Sequence, residues 1–194
     1  LTGISRYSQL RGPWTFVWEA PYWEKEPKGL RDRLKSVDGV ILVESPLLRE
    51  IRKLGLPCVV SNHLSETVRG VPNIVSDHRA IGALAAQHLL DRGFRNFAFC
   101  GYPGLFWSYR RLEGFGRAVR RAGGAVDAYV PPGRRRTPRA SERASLEGWL
   151  KALPKPVGLM ACIDERGREV AEACKAASLS VPDRVAIVGV NNDE

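Results

Sequence analysis

Residues 96–130 read NFAFCGYPGLFWSYRRLEGFGRAVRRAGGAVDAYV. The apolar run 96–100 has the length and composition of a buried strand. A helix is expected to begin near Ser108 and to end at the glycine pair Gly123-Gly124, and a second apolar run, 125–130, follows directly. A strand, a helix and a strand in this order predict a βαβ unit with parallel strands, which decides the fold class.

The same alternation extends from this unit towards both ends of the chain. The other apolar runs also lack the period-two alternation of a half-exposed sheet, so they suit parallel strands that helices cover on both faces. A first helix is expected at 1–10. The predicted strands are residues 14–18, 39–43, 58–60, 73–75, 96–100, 125–130, 157–163 and 185–190.

Four stretches between the strands have helical spacing. The helix after Ser76 begins at a capping serine or aspartate and ends at Arg92-Gly93. The pattern is typical of a doubly wound α/β protein. The residues expected on the buried faces of the four helices are Ile81, Leu84, Ala85, His88 and Leu89; Leu112, Phe115 and Val119; Leu146, Trp149 and Leu150; and Val170, Ala173, Cys174 and Ala177.

The alternation of strands and helices predicts an α/β protein with two Rossmann-like lobes, each built on a parallel sheet. We expect the division near Gly93-Phe94, because the helix that ends there is followed by a fresh strand, loop and helix. Residues 1–94 would then form the N-terminal lobe and 95–194 the C-terminal lobe. The first helix has no strand ahead of it and the sequence stops just after a strand, so the domain is expected to be incomplete at both ends.

The composition narrows the class of protein. With 194 residues, of which 44% are hydrophobic, the chain can bury one large core or two small ones. No apolar run approaches the roughly 18 residues that cross a bilayer and no signal peptide is evident, so a cytoplasmic location is expected. The net charge of +9 suits a nucleic-acid partner. Arg134, Arg135 and Arg136, however, lie among prolines and a glycine, which favours a solvated surface turn.

Cysteine and histidine positions give no support for a metal site. Cys58, Cys100, Cys162 and Cys174 form no CxxC pair and are predicted to be core thiols rather than disulfides or metal ligands. The three histidines form no cluster with ligand spacing. The sequence also lacks a GxGxxG loop, a Walker motif and a GxSxG elbow, so neither a cofactor nor catalysis is expected.

The residues that follow each strand are the candidates for a binding site, because ligands of open α/β sheets lie beyond the carboxyl ends of the strands. Carbohydrate recognition uses planar polar groups that bind neighbouring hydroxyls, and an aromatic face for the ring. Residues of these types follow four of the strands. They are Ser45 after 39–43; Trp107, Ser108 and Arg111 after 96–100; Asp164 after 157–163; and Asn192 and Asp193 after 185–190.

Each candidate also has a purely structural explanation. Asp164 can be the N-cap of its helix, and Trp107 can be a core or surface aromatic. Arg111 can pair with Glu113 or Asp164, and the asparagine run is an ordinary turn signal. The functional interpretation therefore depends on the prediction that Arg111, Asp164 and Asn192 converge on a common cavity.

Several motifs extend over nearly the whole chain: GISRY at 3–7, VSDHRAIG at 75–82, AAQHLLDRGF at 85–94, FAFCGYPG at 97–104, Trp107-Ser108 with Arg111, LMACIDERG at 159–167 and VPDRVAIVGVNNDE at 181–194. In this order they resemble the effector domains of the lactose-repressor and periplasmic-binding-protein-like family, and most closely the xylose-operon regulators. The combination is more specific than any single motif.

The resemblance implies two Rossmann-like lobes with a sugar, D-xylose or a related pentose, bound between them. It also implies a homodimer, and DNA binding through a separate helix-turn-helix domain of the arabinose-regulator type placed after the sensor. By motif match, Arg111 takes the place of the family's sugar-binding arginine and Asp164 that of its ligand-binding aspartate. Residues 191–194 match the loop that returns towards the cleft.

Two features depart from the family pattern. Ile163 stands where an asparagine is expected before the aspartate, which leaves the identity of the sugar open, and the strand expected ahead of Gly3 is missing. A transport-type solute receptor and a sugar-modifying enzyme are the competing interpretations. The receptor predicts an export signal upstream of Leu1, and the enzyme predicts turnover of a pentose.

Overall fold

A computed structural model of the protein describes residues 2–17, 29–61, 65–131 and 139–192. The chain forms two compact units, Leu1–Ser61 and Asn62–Glu194. The helices are α1 (Thr2–Arg11), α2 (Leu30–Leu34), α3 (Leu48–Lys53), α4 (His78–Asp91), α5 (Phe106–Arg121), α6 (Arg139–Ala152) and α7 (Asp164–Ala176). The strands are β1 (Val40–Val43), β2 (Cys58–Ser61), β3 (Asn73–Ile74), β4 (Asn96–Cys100), β5 (Val126–Tyr129), β6 (Val157–Ala161) and β7 (Val185–Val188).

The larger unit, Asn62–Glu194, is built on a four-stranded parallel sheet in the order β5-β4-β6-β7. The first residues of the strands are in register, with Asn96 opposite Val157 and Val157 opposite Val185. All four strands therefore end at the same edge of the sheet, which we term the carboxyl edge. The predicted parallel α/β architecture is confirmed in this unit.

Both faces of this sheet are buried, as the continuous apolar runs predict. Successive residues of a strand point to opposite faces, so Phe97 and Phe99 pack with α4 and α5 while Ala98 and Cys100 pack with α6 and α7. The helical side chains that complete these two layers are Ala86, Leu89, Phe115 and Val119 on one face, and Leu146, Leu150, Val170 and Cys174 on the other.

Helix α4 begins and ends where the sequence predicts. The Asp77 carboxylate accepts a hydrogen bond of 2.9 Å from the Ala80 amide, and the helix stops before Gly93, whose φ of +81° favours glycine. Its buried face differs from the prediction, since Leu84 is 72% exposed and His88 is also exposed. The reason is that Gly82 faces α5, which turns Leu84 outwards.

Helices α4 and α5 approach each other so closely that glycine is required on both. A methyl group added at Gly82 would lie 2.1 Å from the carbonyl oxygen of Arg111, and one at Gly114 would lie 2.0 Å from that of Arg79. Real side chains do not tolerate such distances. The helix pair therefore fixes the backbone of α5, and with it the position of Arg111.

The smaller unit, Leu1–Ser61, contains the parallel pair β1-β2, in which Val40 lies opposite Cys58. Ile51 of α3 is fully buried beneath this pair with Leu34. Residues 12–17 do not form the predicted strand at 14–18, and Trp18 lies outside the described residues. The cause is local, because the Trp14 amide donates to Ser8 Oγ at 3.0 Å, which folds this segment back onto α1.

Several boundaries differ from the sequence-based ones. The compact units divide between Ser61 and Asn62, so the predicted lobe boundary near Gly93-Phe94 lies within the larger unit, where α4 packs on α5. Strands β6 and β7 end two residues before the predicted positions. The short helices α2 and α3 carry too few residues to show a periodic pattern. The assignment of the units to two effector-domain lobes stays a prediction.

The four cysteines are free, as predicted, with Cys58 half-buried and the other three buried. No helix within the described ranges is long and apolar enough to cross a membrane. The arginine run 134–136 lies outside the described residues.

Candidate functional site

Five of the predicted site residues are described residues of the larger unit and follow three neighbouring strands. Trp107, Ser108 and Arg111 lie in the first turns of α5, after β4; Asp164 begins α7, after β6; and Asn192 follows β7. Because β4, β6 and β7 are adjacent and parallel, these residues lie along the carboxyl edge. We refer to the five as the carboxyl-edge site.

Arg111 is the best-fixed member of this site. Its side chain is only 6% exposed, its Nη1 donates a hydrogen bond to the carbonyl oxygen of Cys162, and its Cζ lies 5.1 Å from the ring centroid of Trp107. Burial lowers the pKa of Arg111 and the charge of Asp164 opposes this effect. Since arginine titrates far above neutral pH, the guanidinium remains a cation.

Asp164, which follows β6, interacts with residues that follow the two neighbouring strands, β4 and β7. Its amide donates to the carbonyl oxygen of Val190 at 3.1 Å, and its carboxylate interacts electrostatically with Arg111. The residue at the N-cap of α7 is Ile163, whose side chain makes no capping hydrogen bond. The interpretation of Asp164 as a capping residue is therefore wrong.

Gly189 creates the space that the Asp164 carboxylate occupies. A methyl group added at Gly189 would lie 2.0 Å from Asp164 Oδ1, so no other residue fits there with the carboxylate in place. Gly189 was not among the site residues predicted from the sequence. A glycine at the end of an otherwise apolar strand is the signal that would have identified it, because such glycines often mark a close approach.

The loop after β7 has an unusual backbone. Asn191 and Asn192 have φ values of +110° and +61°, in the left-handed region that asparagine tolerates better than most residues. The Asn192 side chain is exposed. Strained backbone of this kind is more frequent at ligand sites than elsewhere. Asp193, also predicted to contact a ligand, lies outside the described residues.

Trp107 and Ser108 are buried members of the carboxyl-edge site. Trp107 is 7% exposed and belongs to the hydrophobic core, while Ser108 is completely buried and its Oγ accepts a hydrogen bond of 3.1 Å from the Tyr102 amide. In this conformation both residues support Arg111 and the loop before α5. A direct contact between either residue and a ligand stays a prediction.

Two buried N–H donors in this region lack an acceptor. Trp107 Nε1 and Arg111 Nε have no hydrogen-bond partner among the described protein atoms. Buried donors are nearly always paired in folded proteins, so such pairs of atoms commonly mark the position of water or of a ligand oxygen. Hydroxyl-rich molecules have the chemistry that would satisfy them.

Glu113 is engaged by arginines other than Arg111. Its carboxylate accepts hydrogen bonds from Arg79 at 2.9 Å, from Arg110 at 3.1 Å and from Arg117 at 3.0 Å. The hydrogen bond from Arg79 is the main cause that lowers the pKa of Glu113. This surface network holds the outer side of α5, whereas Arg111 faces the carboxyl edge.

Ser45 belongs to the smaller unit and is described separately. It lies between β1 and α3, where its carbonyl oxygen accepts a hydrogen bond of 3.2 Å from the Leu48 amide, and it lines a surface hollow with Pro46, Arg49 and Lys53. The convergence of this residue with the others on one cavity stays a prediction. No group of three metal-ligating side chains occurs among the residues described.

Residues 86–194 match the family of periplasmic binding protein-like domains. The chain is 31% identical over 142 residues to the xylose operon regulatory protein of Escherichia coli K12, and this alignment covers 69% of the chain and 35% of that protein. The chain therefore spans about a third of the length of this relative.

Solved structures support the same fold. The structure of a xylose-binding transcription activator matches the whole chain with a TM-score of 0.81 and 25% identity, over 50% of that protein. The periplasmic binding component of an arabinose transporter from Shewanella sp. ANA-3 matches 85% of the chain and 59% of that protein, with a TM-score of 0.62 and 24% identity. The periplasmic-binding-protein-like fold predicted from the sequence is confirmed.

Proposed function

Because the chain belongs to the family of periplasmic binding protein-like domains, we propose that it is the effector-binding domain of a transcription regulator and that it binds D-xylose or a related pentose. The observation that carries this proposal is the pairing of Arg111 and Asp164 at the carboxyl edge. The buried Arg111 cation interacts electrostatically with the Asp164 carboxylate there, and each residue is also hydrogen-bonded to backbone that follows a neighbouring strand.

This pair suits a polyol better than it suits an ion. A guanidinium presents donors in a fixed plane, a carboxylate presents two acceptors, and neighbouring sugar hydroxyls both donate and accept. Because the two charges largely balance, neither an anion nor a cation is favoured. Asn192, with a side-chain amide that both donates and accepts, would contact a further hydroxyl from the loop after β7.

The regulatory part of the proposal rests on the relatives. We propose that pentose binding shifts a homodimer between two states, and that DNA is recognised by a helix-turn-helix domain in a part of the protein outside this chain. A ligand shifts such an equilibrium only through its different affinities for the two states, typically by about 1–3 kcal/mol.

Calorimetric titration with D-xylose, L-arabinose and D-ribose tests the proposal. We expect at least one of these pentoses to release or absorb heat with a saturating isotherm. At a concentration 100 times the Kd it should raise the free energy of unfolding by about 2.7 kcal/mol, which a melting curve detects independently. Absence of binding heat for every pentose, together with an unchanged melting temperature, would overturn the ligand assignment.

A transport-type solute receptor is the second candidate, since the transporter component from Shewanella shares the fold. It predicts the same pentose titration, so DNA is the discriminating partner. A mobility-shift assay on the full protein and the DNA upstream of its gene, with and without D-xylose, separates the two. A pentose-dependent shift supports regulation. An export signal ahead of Leu1 together with no DNA binding supports transport.

Gly189→Ala should weaken pentose binding about tenfold. The added methyl group would lie 2.0 Å from Asp164 Oδ1, so the carboxylate must move, and small displacements of a positioned group commonly cost an order of magnitude. The measurement is the Kd from calorimetry. Gly167→Ala is the matched control, because its methyl group would meet only ordinary contacts, the nearest at 3.7 Å from Ala161. An unchanged Kd for Gly189→Ala would argue against a ligand contact of Asp164.

A further inference from the structure

Arg166 is the largest fully buried side chain of the described residues, at 2% exposure. It lies on α7, two positions after Asp164, and successive residues of a helix point in different directions. Asp164 faces the end of β7, whereas Arg166 faces the opposite side of the helix start, towards α6 and β5. The carboxyl-edge site as described above does not include it.

One guanidinium contacts four elements of the larger unit. Arg166 Cζ lies 4.9 Å from the ring centroid of Tyr102, in the loop after β4, and 5.7 Å from that of Tyr129, the last residue of β5. Its Nη2 lies 2.9 Å from Glu142 Oε1 of α6, and its Nη1 pairs with Glu169 on its own helix. The same elements also contact one another directly, since the Gly101 amide donates to the Tyr129 carbonyl oxygen at 2.9 Å and the rings of Tyr129 and Trp149 lie 5.1 Å apart.

Tyr102 connects Arg166 and Glu169 with the carboxyl-edge site. Its hydroxyl donates to Glu169 Oε1 at 3.1 Å, and burial, assisted by Glu169, raises the pKa of Tyr102, which keeps the hydroxyl protonated as a donor. Its amide donates to Ser108 Oγ, three residues before Arg111. The loop 101–105 is thus held on one side by Arg166 and on the other by the first turn of α5.

Stability alone is a weak reason for an arginine in this position. Taking a charge out of water costs several kcal/mol, and an apolar side chain of similar volume often replaces a buried ion pair without loss of stability. An arginine, however, presents a rigid plane that stacks on aromatic rings, and here its Nη1 also donates a directional hydrogen bond to the Glu169 carboxylate. This property holds the neighbouring elements in fixed relative positions. A binding site requires this when its residues come from two separate parts of the chain, here the loop 101–105 and the first turn of α7.

We propose that Arg166 is a positioning residue for the carboxyl-edge site, which holds the loop 101–105 and the first turn of α7 in one arrangement and thereby orients Ser108 and Asp164. This inference rests on the proposed function, since it assigns Arg166 a role in pentose affinity. It differs from a role in folding, because it requires a local effect on the loop after β4.

The test compares Arg166→Met and Tyr102→Phe with Lys155→Met in the full chain. Lys155 is the control because its Nζ caps α6 through the carbonyl oxygens of Leu150 and Leu153, both at 2.6 Å, close to the amino end of β6. The readouts are amide hydrogen exchange of peptides covering 101–105 and 78–91 without ligand, the Kd for D-xylose, and the melting temperature.

We expect Arg166→Met to speed exchange at 101–105 about tenfold while 78–91 stays protected, and to raise the Kd about tenfold. Tyr102→Phe keeps the ring and removes only the hydroxyl, so it should raise the exchange rate at 101–105 and the Kd about threefold each. It is the deciding variant if Arg166→Met fails to fold. Lys155→Met should lower the melting temperature and change neither exchange at 101–105 nor the Kd.

Unchanged exchange at 101–105 in both tyrosine and arginine variants would overturn the proposal. So would an equal effect in Lys155→Met, since the loss would then follow global stability. Faster exchange with an unchanged Kd would also overturn it. If the wild-type chain binds no pentose, the proposed function fails, whereas the exchange result, which involves no ligand, still decides whether Arg166 orders the loop.

Discussion

Gly114→Ala is expected to lower the free energy of unfolding by about 3 kcal/mol. The methyl group would lie 2.0 Å from the carbonyl oxygen of Arg79 and 2.7 Å from its carbonyl carbon, so the clash involves backbone and cannot be relieved by a side-chain rotation. Either α4 and α5 move apart or their helices distort. Separation would open the core around Phe115 and Val119, which are both fully buried.

Thermal and urea unfolding of the chain measure this loss. Gly148→Ala provides the matched control, because Gly148 also lies within a helix, and a methyl group added there would meet nothing within 4 Å. Replacing a solvent-facing helical glycine by alanine should stabilise the chain by about 0.5–1 kcal/mol. The change from glycine to alanine is thus expected to lower the free energy of unfolding at position 114 and to raise it at position 148. A Gly114→Ala variant as stable as the wild type would mean that the helices are not in this close contact.

Gly82→Ala links this helix contact to the site. Its methyl group would lie 2.1 Å from the carbonyl oxygen of Arg111, so relief of the clash displaces the backbone that carries the site arginine. The hydrogen bond from Arg111 Nη1 to the Cys162 carbonyl oxygen depends on that backbone position. The packing of α4 on α5 therefore positions the binding site as well as the core.

The parallel strands were predictable because their signal is local. Strand β4 begins and ends at the predicted residues, and the burial of β6 follows from its continuous apolar run. Leu84 shows where local reasoning stops. Its helical spacing indicates burial, but the contact between Gly82 and α5 rotates α4, and the sequence of one helix does not record which glycine faces another helix.

The sequence predicts which candidate residues follow the ends of strands, but it does not predict which of them contact one another. Arg111 and Asp164 are brought together because their strands are neighbours in the sheet, an order that the sequence does not reveal. Arg111 is held by the backbone carbonyl oxygen of Cys162. Since every residue has such an oxygen, the identity of residue 162 could not predict this contact. The sequence likewise does not reveal that the Arg111 guanidinium lies 5.1 Å from the ring centroid of Trp107; a contact of this ring with a ligand stays a prediction.

Asp164→Asn is expected to weaken pentose binding about 100-fold, which corresponds to roughly 2.7 kcal/mol. Asparagine has nearly the same shape, so it should fit beside Gly189, but it replaces one acceptor by a donor and removes the charge. Hydrogen bonds to charged groups contribute about 1.5–3 kcal/mol each, and the sugar hydroxyls would lose the carboxylate partner that Asp164 provides. Arg111 would also lose the charge that opposes its burial.

Glu165→Gln separates this effect from a change in helix stability. Both acidic residues lie in the first turn of α7, where a negative charge stabilises a helix by about 0.3–1 kcal/mol, so both variants lose that contribution. Only Asp164 lies against Gly189 and near Arg111, whereas Glu165 is exposed. Calorimetry should therefore give a wild-type Kd for Glu165→Gln and a Kd about 100-fold higher for Asp164→Asn. Equal affinities for the two variants would remove Asp164 from the binding site.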